Sequence, residues 1–228
     1  MELFLIRHGQ SANNALADMK LRVEDPLLTP AGEQQAERTA AYLAARRHLH
    51  ADARDAARPI FDQIYCSPML RAMQTARPIA RALGMPYEVW PDIHEIGGIY
   101  LDHDGRKVGY AGQTRSQLLK RFPECTLPHD LSEQGWWNRD FEEMHEGHAR
   151  AAGVARTLRA RAGENVRIGL VSHGDFLSAL LNALGDQNNA AYYEHRNTGI
   201  THVDLTPLGA RVRYLNRVDH LDDALITY

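Results

Sequence analysis

A short, wholly apolar run, Leu3-Phe4-Leu5-Ile6, predicts a strand over residues 2–7 that is buried on both faces. A second run of this kind predicts a strand over 166–172. Strands covered on both faces belong to sheets that carry helices on both sides. This feature constrains the fold more than any other in the chain.

Strand candidates alternate with helix candidates along the chain. Thr29-Pro30 and Ser67-Pro68 each combine a capping hydroxyl with a proline, which indicates two helix starts. The alternation predicts an α/β fold, namely a three-layer, doubly wound, mostly parallel sheet with helices on both faces. The further strands are predicted over 60–65, 87–90, 199–205 and 210–215, and the helices over 31–47, 69–83, 142–162 and 176–184.

Residues 91–140 differ from the rest, because they are rich in Gly, His, Asp and aromatic residues and show weak periodicity. A short helix is predicted over 114–122, ended by Pro123. A segment of this length without regular structure is uncommon unless it has a function. We therefore predict an inserted cap over a site, within one domain that spans 1–228.

Composition excludes several functional classes. The net charge of −3 argues against a broad nucleic-acid-binding surface but permits a local basic pocket. No apolar run approaches the length of a membrane span, and we expect no signal peptide and a cytoplasmic protein. Oligomeric state cannot be inferred from the sequence.

Metal and disulfide chemistry are not indicated. Cys66 is predicted to be a core residue and Cys125 a loop residue, with no disulfide between them. The twelve histidines are scattered, and neither the His145/His148 pair nor the His48/His50 pair has nearby ligands that complete a metal site. We expect most histidines at the surface, and neither a metal nor a cofactor.

Two histidines follow buried strands directly. His8 follows the first strand and His173-Gly174 follows the strand over 166–172. Active sites of doubly wound sheets lie beyond the carboxyl ends of the strands, so we expect these histidines to converge, with Ser67 beside them. Arg7 and Arg71 are cations placed to clamp a phosphoryl group and to keep His8 unprotonated by charge repulsion.

A phosphoryl-transfer site also needs an acid for the leaving oxygen. Glu95 follows a strand candidate and precedes two glycines, which allow close backbone approach. Asp92, Asp102 and Asp104 are rivals for this role. Asn14, in the polar segment after the first strand, is a candidate helix cap.

Several segments together resemble one known family. They are Leu3–Ser11, Leu28–Gly32, Ser67–Thr75, Glu95, Val171–Gly174 and Asn197–Ile200, in this order along the chain. In these segments the chain is similar to the histidine phosphatase superfamily, which has the phosphoglycerate mutase-like fold. The resemblance implies that His8 is transiently phosphorylated, that Glu95 is the general acid and base, and that no metal is needed. It further implies that Arg7, Asn14, Arg71, His173 and Gly174 bind the phosphoryl group of a small phosphorylated substrate.

The chain departs from the mutases of this superfamily. Asn13 stands where they carry a tryptophan, and residues 22–26 replace their Gly-Trp pair. We therefore expect a phosphomonoester hydrolase. The alternatives are a cofactor-dependent phosphoglycerate mutase and a non-catalytic phosphate-binding scaffold on the same fold.

Residues 99–140 are expected to select the substrate, with a sugar phosphate, a nucleotide and a phosphorylated protein all open. The aromatic residues of this segment would either form a wall of the site or pack the cap onto the core. They are Tyr100, Tyr110, Trp136 and Trp137, and the basic residues that could meet extra negative charge are Arg106, Lys107, Arg115 and Arg139.

Overall fold

The computed structural model describes residues 1–49, 57–186 and 191–228, and it contains nine strands and five α-helices within those ranges. The strands are β1 (Glu2–Arg7), β2 (Gln63–Cys66), β3 (Tyr87–Val89), β4 (Tyr100–His103), β5 (Arg106–Gly109), β6 (Cys125–Thr126), β7 (Arg167–Ser172), β8 (Ile200–Thr206) and β9 (Gly209–Arg217). The helices are α1 (Pro30–Ala44), α2 (Leu70–Leu83), α3 (Arg115–Arg121), α4 (Met144–Ala160) and α5 (Gly174–Leu184).

Seven strands form one sheet in the order β6-β3-β2-β7-β1-β8-β9. β1, β2, β3, β6 and β7 run parallel, whereas β8 and β9 add an antiparallel edge beside β1. The parallel strands end at one edge of the sheet, which places the residues after β1, β2 and β7 side by side. The mostly parallel, doubly wound sheet is confirmed.

Both faces of the sheet are covered by helices. Phe4 and Ile6 pack into a cluster with residues of α1 and α2, whereas Leu3 and Leu5 pack into a second cluster with residues of α4 and α5. These four apolar side chains of β1 are fully buried, and each contributes about 1.5–3 kcal/mol through its burial. The continuous apolar run therefore reflects a strand enclosed between two helical layers.

The two predicted helix starts have different outcomes. Thr29 caps α1, because its Oγ1 accepts a hydrogen bond from Gly32 N at 3.0 Å. The start at Ser67-Pro68 is wrong, since α2 begins at Leu70. The Ser67 hydroxyl is instead 2.8 Å from Nε2 of His173, so it belongs to the site and not to a helix cap.

The region 91–140 is more ordered than its weak periodicity suggests. β4 and β5 form a separate hairpin, and α3 begins after Thr114, whose side chain and Gln117 form a capping box. β6 pairs with β3 and extends the main sheet, so the region is partly an edge of the core. Strands of two to four residues are too short to give a recognisable period.

The expectation that most histidines are exposed is wrong. Of the eleven histidines in the described ranges, seven are buried, namely His8, His48, His94, His173, His195, His202 and His220. His50 and most of the predicted loop or helix tail over 48–58 lie outside the described residues.

Of the described helices, none is both long and apolar enough to cross a membrane.

Candidate active site

Three neighbouring strand ends bring the predicted site residues together. His8 follows β1, Ser67 follows β2 and His173 follows β7, the strand between them. Backbone hydrogen bonds continue past the strands, from His8 N to Ser172 O at 2.9 Å and from Ser67 N to Val171 O at 3.0 Å. The rings of His8 and His173 have centroids 5.0 Å apart.

His8 is arranged as a neutral imidazole whose lone pair is on Nε2. Its Nδ1 lies 2.6 Å from the carbonyl oxygen of Gly9, which only accepts, so Nδ1 donates. Nε2 therefore carries the lone pair and accepts a hydrogen bond from Nε of Arg71 at 3.2 Å. Burial holds the pKa of His8 well below its usual value, and the charges of Arg71 and Arg7 act in the same direction. These conditions suit a nucleophile.

Two arginines approach this ring from different elements. Arg71 lies in the first turn of α2, and Arg7 ends β1 and donates from Nη1 to His195 O at 2.5 Å. Nε of Arg7 is buried and has no hydrogen-bond partner among the described residues. A buried donor left free in this way is suited to an anionic ligand. A Cβ placed on Gly174, the first residue of α5, would lie 3.5 Å from Arg7 Nε, so this glycine leaves the space beside that donor open.

His173 is fully buried beneath His8 and does not itself line the cavity that the described residues form there. Its Nε2 is engaged with Ser67, whereas its Nδ1 has no partner in the described part of the chain. Burial, and to a smaller extent the charge of Arg71, keep the pKa of His173 well below its usual value. The ring is therefore neutral.

Glu95 is held at the start of α5. Its Oε1 accepts hydrogen bonds from Ile96 N and Phe176 N, both at 3.0 Å, and its Oε2 is 3.4 Å from Asp175 N. Burial raises the pKa of the Glu95 carboxyl, and the neighbouring Asp175 raises it further. A carboxyl that holds its proton to higher pH is suited to act as a general acid.

The rival carboxylates lie elsewhere. Asp92 lines a different cavity, beside Tyr65 and Trp90. Asp102 accepts a hydrogen bond from Gly105 N in the β4–β5 turn, and Asp104 lies in the same turn with a φ of 54°. The geometry therefore favours Glu95.

Asn14 lines the cavity with its side chain fixed at one end. Its Oδ1 accepts from Ser11 N at 3.0 Å and from Ser11 Oγ at 2.9 Å. Asn197 Nδ2 approaches the same oxygen at 3.5 Å. Because the oxygen is occupied, the amide N–H groups are the part that can contact an anion.

Sequence reasoning missed a buried carboxyl behind Arg71. Asp25 is 5% exposed, lies 3.8 Å from Nη1 of Arg71, and accepts a hydrogen bond from Leu70 N at 3.1 Å. Burial raises the pKa of Asp25 to about 6, despite the opposing charge of Arg71. Its place four residues before Thr29, in a segment without periodicity, gave no local signal.

The cavity at His8 has a volume of about 240 Å³ and is strongly polar. Of the predicted aromatic wall it includes only Tyr100. Trp137 packs on Met69 and Ile99, and the basic residues predicted in the cap do not border this cavity as the described residues bound it. The residues that line it are Arg7, His8, Ser11, Asn13, Asn14, Arg22, Glu24, Pro26, Arg71, Glu95, Ile96, Gly98, Tyr100, Gly174, Asp175 and Tyr192.

The lining residues that were not predicted include three charged side chains and one tyrosine, namely Arg22, Glu24, Asp175 and Tyr192. Asp175 directly follows His173-Gly174, and this adjacency could have indicated it. Tyr192 donates to Oδ1 of Asp175 at 3.1 Å, although it comes from a segment that has no helix or strand.

One cluster among the described residues, Glu2, His202 and Asp204, has donor atoms close enough for a metal. It lies at the opposite end of β1 from His8. Its carboxylates contact His202 Nε2 at 3.4 Å each, and Arg167 and Arg213 bind them. This cluster is explained by ion pairs.

Two known proteins are similar to this chain in sequence. A protein of Hydrogenobacter thermophilus named "Putative phosphoserine phosphatase 2" is 27% identical over 221 residues, which cover 96% of each chain. A PE-PGRS family protein of Mycobacterium tuberculosis is 37% identical over 98 residues, which are 42% of this chain and 15% of that protein.

The fold matches solved phosphatase structures. A mutant phosphoserine phosphatase of Entamoeba histolytica in complex with phosphoserine superimposes with a TM-score of 0.63 at 23% identity, over 97% of this chain and 99% of that one. Residues 3–218 match the sequence profile of the histidine phosphatase superfamily, branch 1. The chain therefore belongs to the histidine phosphatase superfamily and is an enzyme of its phosphoglycerate mutase-like type.

Proposed function

We propose that this protein hydrolyses small phosphomonoesters through a phosphohistidine formed on His8. The observation that carries the proposal is the lone pair of Nε2 on a buried, neutral His8, held beside Arg71 in the cavity that also contains Glu95. A neutral ring attacks phosphorus, and the adjacent guanidinium groups offset the charge of the phosphoryl oxygens.

The first step forms a bond between His8 Nε2 and phosphorus and breaks the ester P–O bond. Arg7 and Arg71 bind the phosphoryl oxygens, with the Asn14 amide and Gly174 N–H as further donors, because all four residues line the cavity. His173 lies against His8, with the two ring centroids 5.0 Å apart, and helps to position it. Glu95 gives its proton to the leaving oxygen, which departs as an alcohol.

The second step releases phosphate. Glu95, now a carboxylate, takes a proton from water, and the water oxygen attacks phosphorus as the P–N bond to His8 breaks. His8 regains its lone pair and Glu95 its proton, so the cycle closes without any redox partner.

The substrate is expected to be small, because the cavity of about 240 Å³ lies below the usual range for ligand pockets. Phosphoserine is the first compound to test, since relatives are named for that activity. The mutase alternative predicts isomerisation of 3-phosphoglycerate with a bisphosphate primer and no release of phosphate.

The direct test measures phosphate release from 4-nitrophenyl phosphate and phosphoserine in excess EDTA. We expect turnover to persist in EDTA, to vanish in His8→Ala, and to be unchanged in His145→Ala, which alters an exposed histidine of α4. Loss of activity in EDTA with recovery on adding zinc or magnesium would contradict the proposal. Isomer formation without phosphate would identify a mutase.

A further inference from the structure

The segment between β1 and α1 forms one wall of the cavity and is fixed by Asn13. The side-chain amide of Asn13 donates from Nδ2 to Val23 O at 2.7 Å, and its Oδ1 accepts from Val23 N at 3.1 Å. Ala12 N also donates to Leu27 O at 2.8 Å. One side chain thus satisfies both backbone groups of Val23 and fixes the backbone next to Arg22.

Arg22 lines the same cavity as His8. Its guanidinium carbon lies 5.4 Å from the centroid of the Tyr100 ring, which restricts the side chain on one side. Within the described residues, Arg22 forms none of the ion pairs to a carboxylate. The fold therefore orients this cation without pairing it directly, although the carboxylates of Glu24 and Asp175 line the same cavity.

The cavity gathers three guanidinium groups. Burial lowers the pKa of Arg71, two neighbouring carboxylates raise it, and the charges of Arg22 and Arg7 lower it, so both of these cations lie near Arg71. In the proposed reaction, Arg7 and Arg71 serve the phosphoryl group. Arg22 lies beside Tyr100, in the segment between β1 and α1, and is available to a different anionic group.

We propose that Arg22 binds a carboxylate of the substrate, at the end of the molecule away from the phosphoryl group. A guanidinium presents a planar set of donors that matches a carboxylate in two parallel hydrogen bonds. The small cavity requires this carboxylate to lie a short chain away from the phosphoester. The subsite rests on the proposed hydrolysis at His8, and it selects short phosphomonoester acids over their uncharged counterparts.

Three of the basic cap residues that were predicted to meet extra negative charge contact other groups instead. Lys107 lies over the Phe141 ring at 3.8 Å and Arg139 over the Trp137 ring at 3.9 Å, so both are committed to packing. Arg115 donates to Pro128 O at 2.5 Å. The exposed Arg106, in β5, provides a matched control because it carries the same charge outside the cavity.

The test compares two substrate pairs that differ in one carboxylate: 3-phosphoglycerate with glycerol 3-phosphate, and phosphoserine with phosphoethanolamine. The measured quantity is the ratio of kcat/KM within each pair. We expect the wild type to prefer the carboxylate member by at least about tenfold, an amount typical of one charged hydrogen-bonded contact. In Arg22→Gln this ratio should fall toward one, mainly through KM, whereas Arg106→Gln should keep the wild-type ratio.

The outcomes separate this inference from the proposed function. If the wild type hydrolyses both members equally, or if Arg22→Gln retains the preference, the carboxylate subsite is overturned and hydrolysis at His8 stands. If no phosphoester is hydrolysed, the proposed function fails. In that case, the affinity for 3-phosphoglycerate, measured by calorimetry, tests the carboxylate subsite. The subsite predicts weaker binding in Arg22→Gln than in Arg106→Gln, and equal binding overturns it.

Discussion

At the scale of single residues, the site depends on how each ionisable group is kept in one protonation state. Burial and two guanidinium groups lower the pKa of His8, whereas burial together with Asp175 raises the pKa of Glu95. The two shifts widen the pH range in which a neutral imidazole and a protonated carboxyl coexist. Histidine and glutamate with ordinary pKa values would overlap less well, because the acid would ionise first.

Glu95→Gln tests the general acid. Turnover of phosphoserine, whose alkoxide leaving group needs a proton, should fall by roughly 10²–10³-fold, within the range typical of general acids. Turnover of 4-nitrophenyl phosphate should fall much less at the phosphorylation step, since nitrophenolate leaves without a proton. The measurement is kcat/KM for both substrates, and equal losses would assign the acid elsewhere.

The pH dependence of the wild type tests the same residue. The ratio of kcat/KM for phosphoserine to that for 4-nitrophenyl phosphate should decrease as pH rises through the raised pKa of Glu95, because the acid form is lost. The ratio should be flat in Glu95→Gln. A wild-type ratio that increases with pH would contradict this role.

Asp25→Asn tests the buried carboxyl behind Arg71. The pKa of Asp25 is raised from 3.8 to about 6 on folding, so the folded state holds the proton more tightly and stability falls as pH rises between these values. Above pH 6 the cost approaches about 3 kcal/mol, which the neutral amide removes. We expect a higher Tm at pH 7.5, little change at pH 4, and lower activity because Arg71 loses its counter-charge.

Asp130→Asn is the control for this experiment, since it removes the same charge at an exposed position. It should leave both Tm and its pH dependence unchanged. If Asp25→Asn stabilises the protein equally at pH 4 and pH 7.5, the buried charge is not the cause.

At the scale of elements, the end of β1 positions His8, and helix α4 supports the backbone that precedes Glu95. Nε and Nη2 of Arg150 in α4 donate to the carboxylate of Glu142 at 2.8 and 2.6 Å, and Nη1 donates to Asp92 O and His94 O. One guanidinium thereby ties α4 to the backbone immediately before Glu95. Burial opposes ionisation of Glu142, but the hydrogen bonds from Arg150, helped by His94 at 3.7 Å, outweigh it and lower the pKa to about 2.

Arg150→Lys tests this support. Lysine keeps the charge but cannot make the four directed hydrogen bonds, so the backbone before Glu95 should lose its position. We expect kcat/KM to fall several-fold more for phosphoserine than for 4-nitrophenyl phosphate. Arg156→Lys, at an exposed position of the same helix, should leave both unchanged. Equal losses on both substrates would show that Arg150 only stabilises the fold.

Elements with local signals could be predicted from the sequence. The apolar runs of β1 and β7 and the cap of α1 are properties of a few adjacent residues, so His8, Arg7 and His173 could be placed at strand ends. Arg71 followed from its place at the start of α2. Arg22, Asp25 and Tyr192 lie in segments without periodicity. Their positions depend on contacts between residues well apart in the chain, such as that between Asn13 and Val23, which no local pattern indicates.

At the scale of the whole molecule, the two ends of the sheet differ in how their cations are paired. At the carboxyl ends of the parallel strands, Nε of Arg7 has no hydrogen-bond partner among the described residues, whereas the other end of β1 carries Glu2 in ion pairs with Arg58 and Arg167. The chain is net negative at −3, yet the cavity at His8 gathers three guanidinium groups. A small anion is thus bound by local arrangement and not by net charge.

The most direct test of this account is the trapping of a phosphoenzyme. Rapid acid-free quenching with ³²P-labelled substrate should yield a base-stable, acid-labile label on His8 of the wild type. The label should accumulate in Glu95→Gln with an aryl phosphate, because the base for the second step is missing, and it should be absent from His8→Ala. A label on any other residue, or full turnover by His8→Ala, would contradict the account.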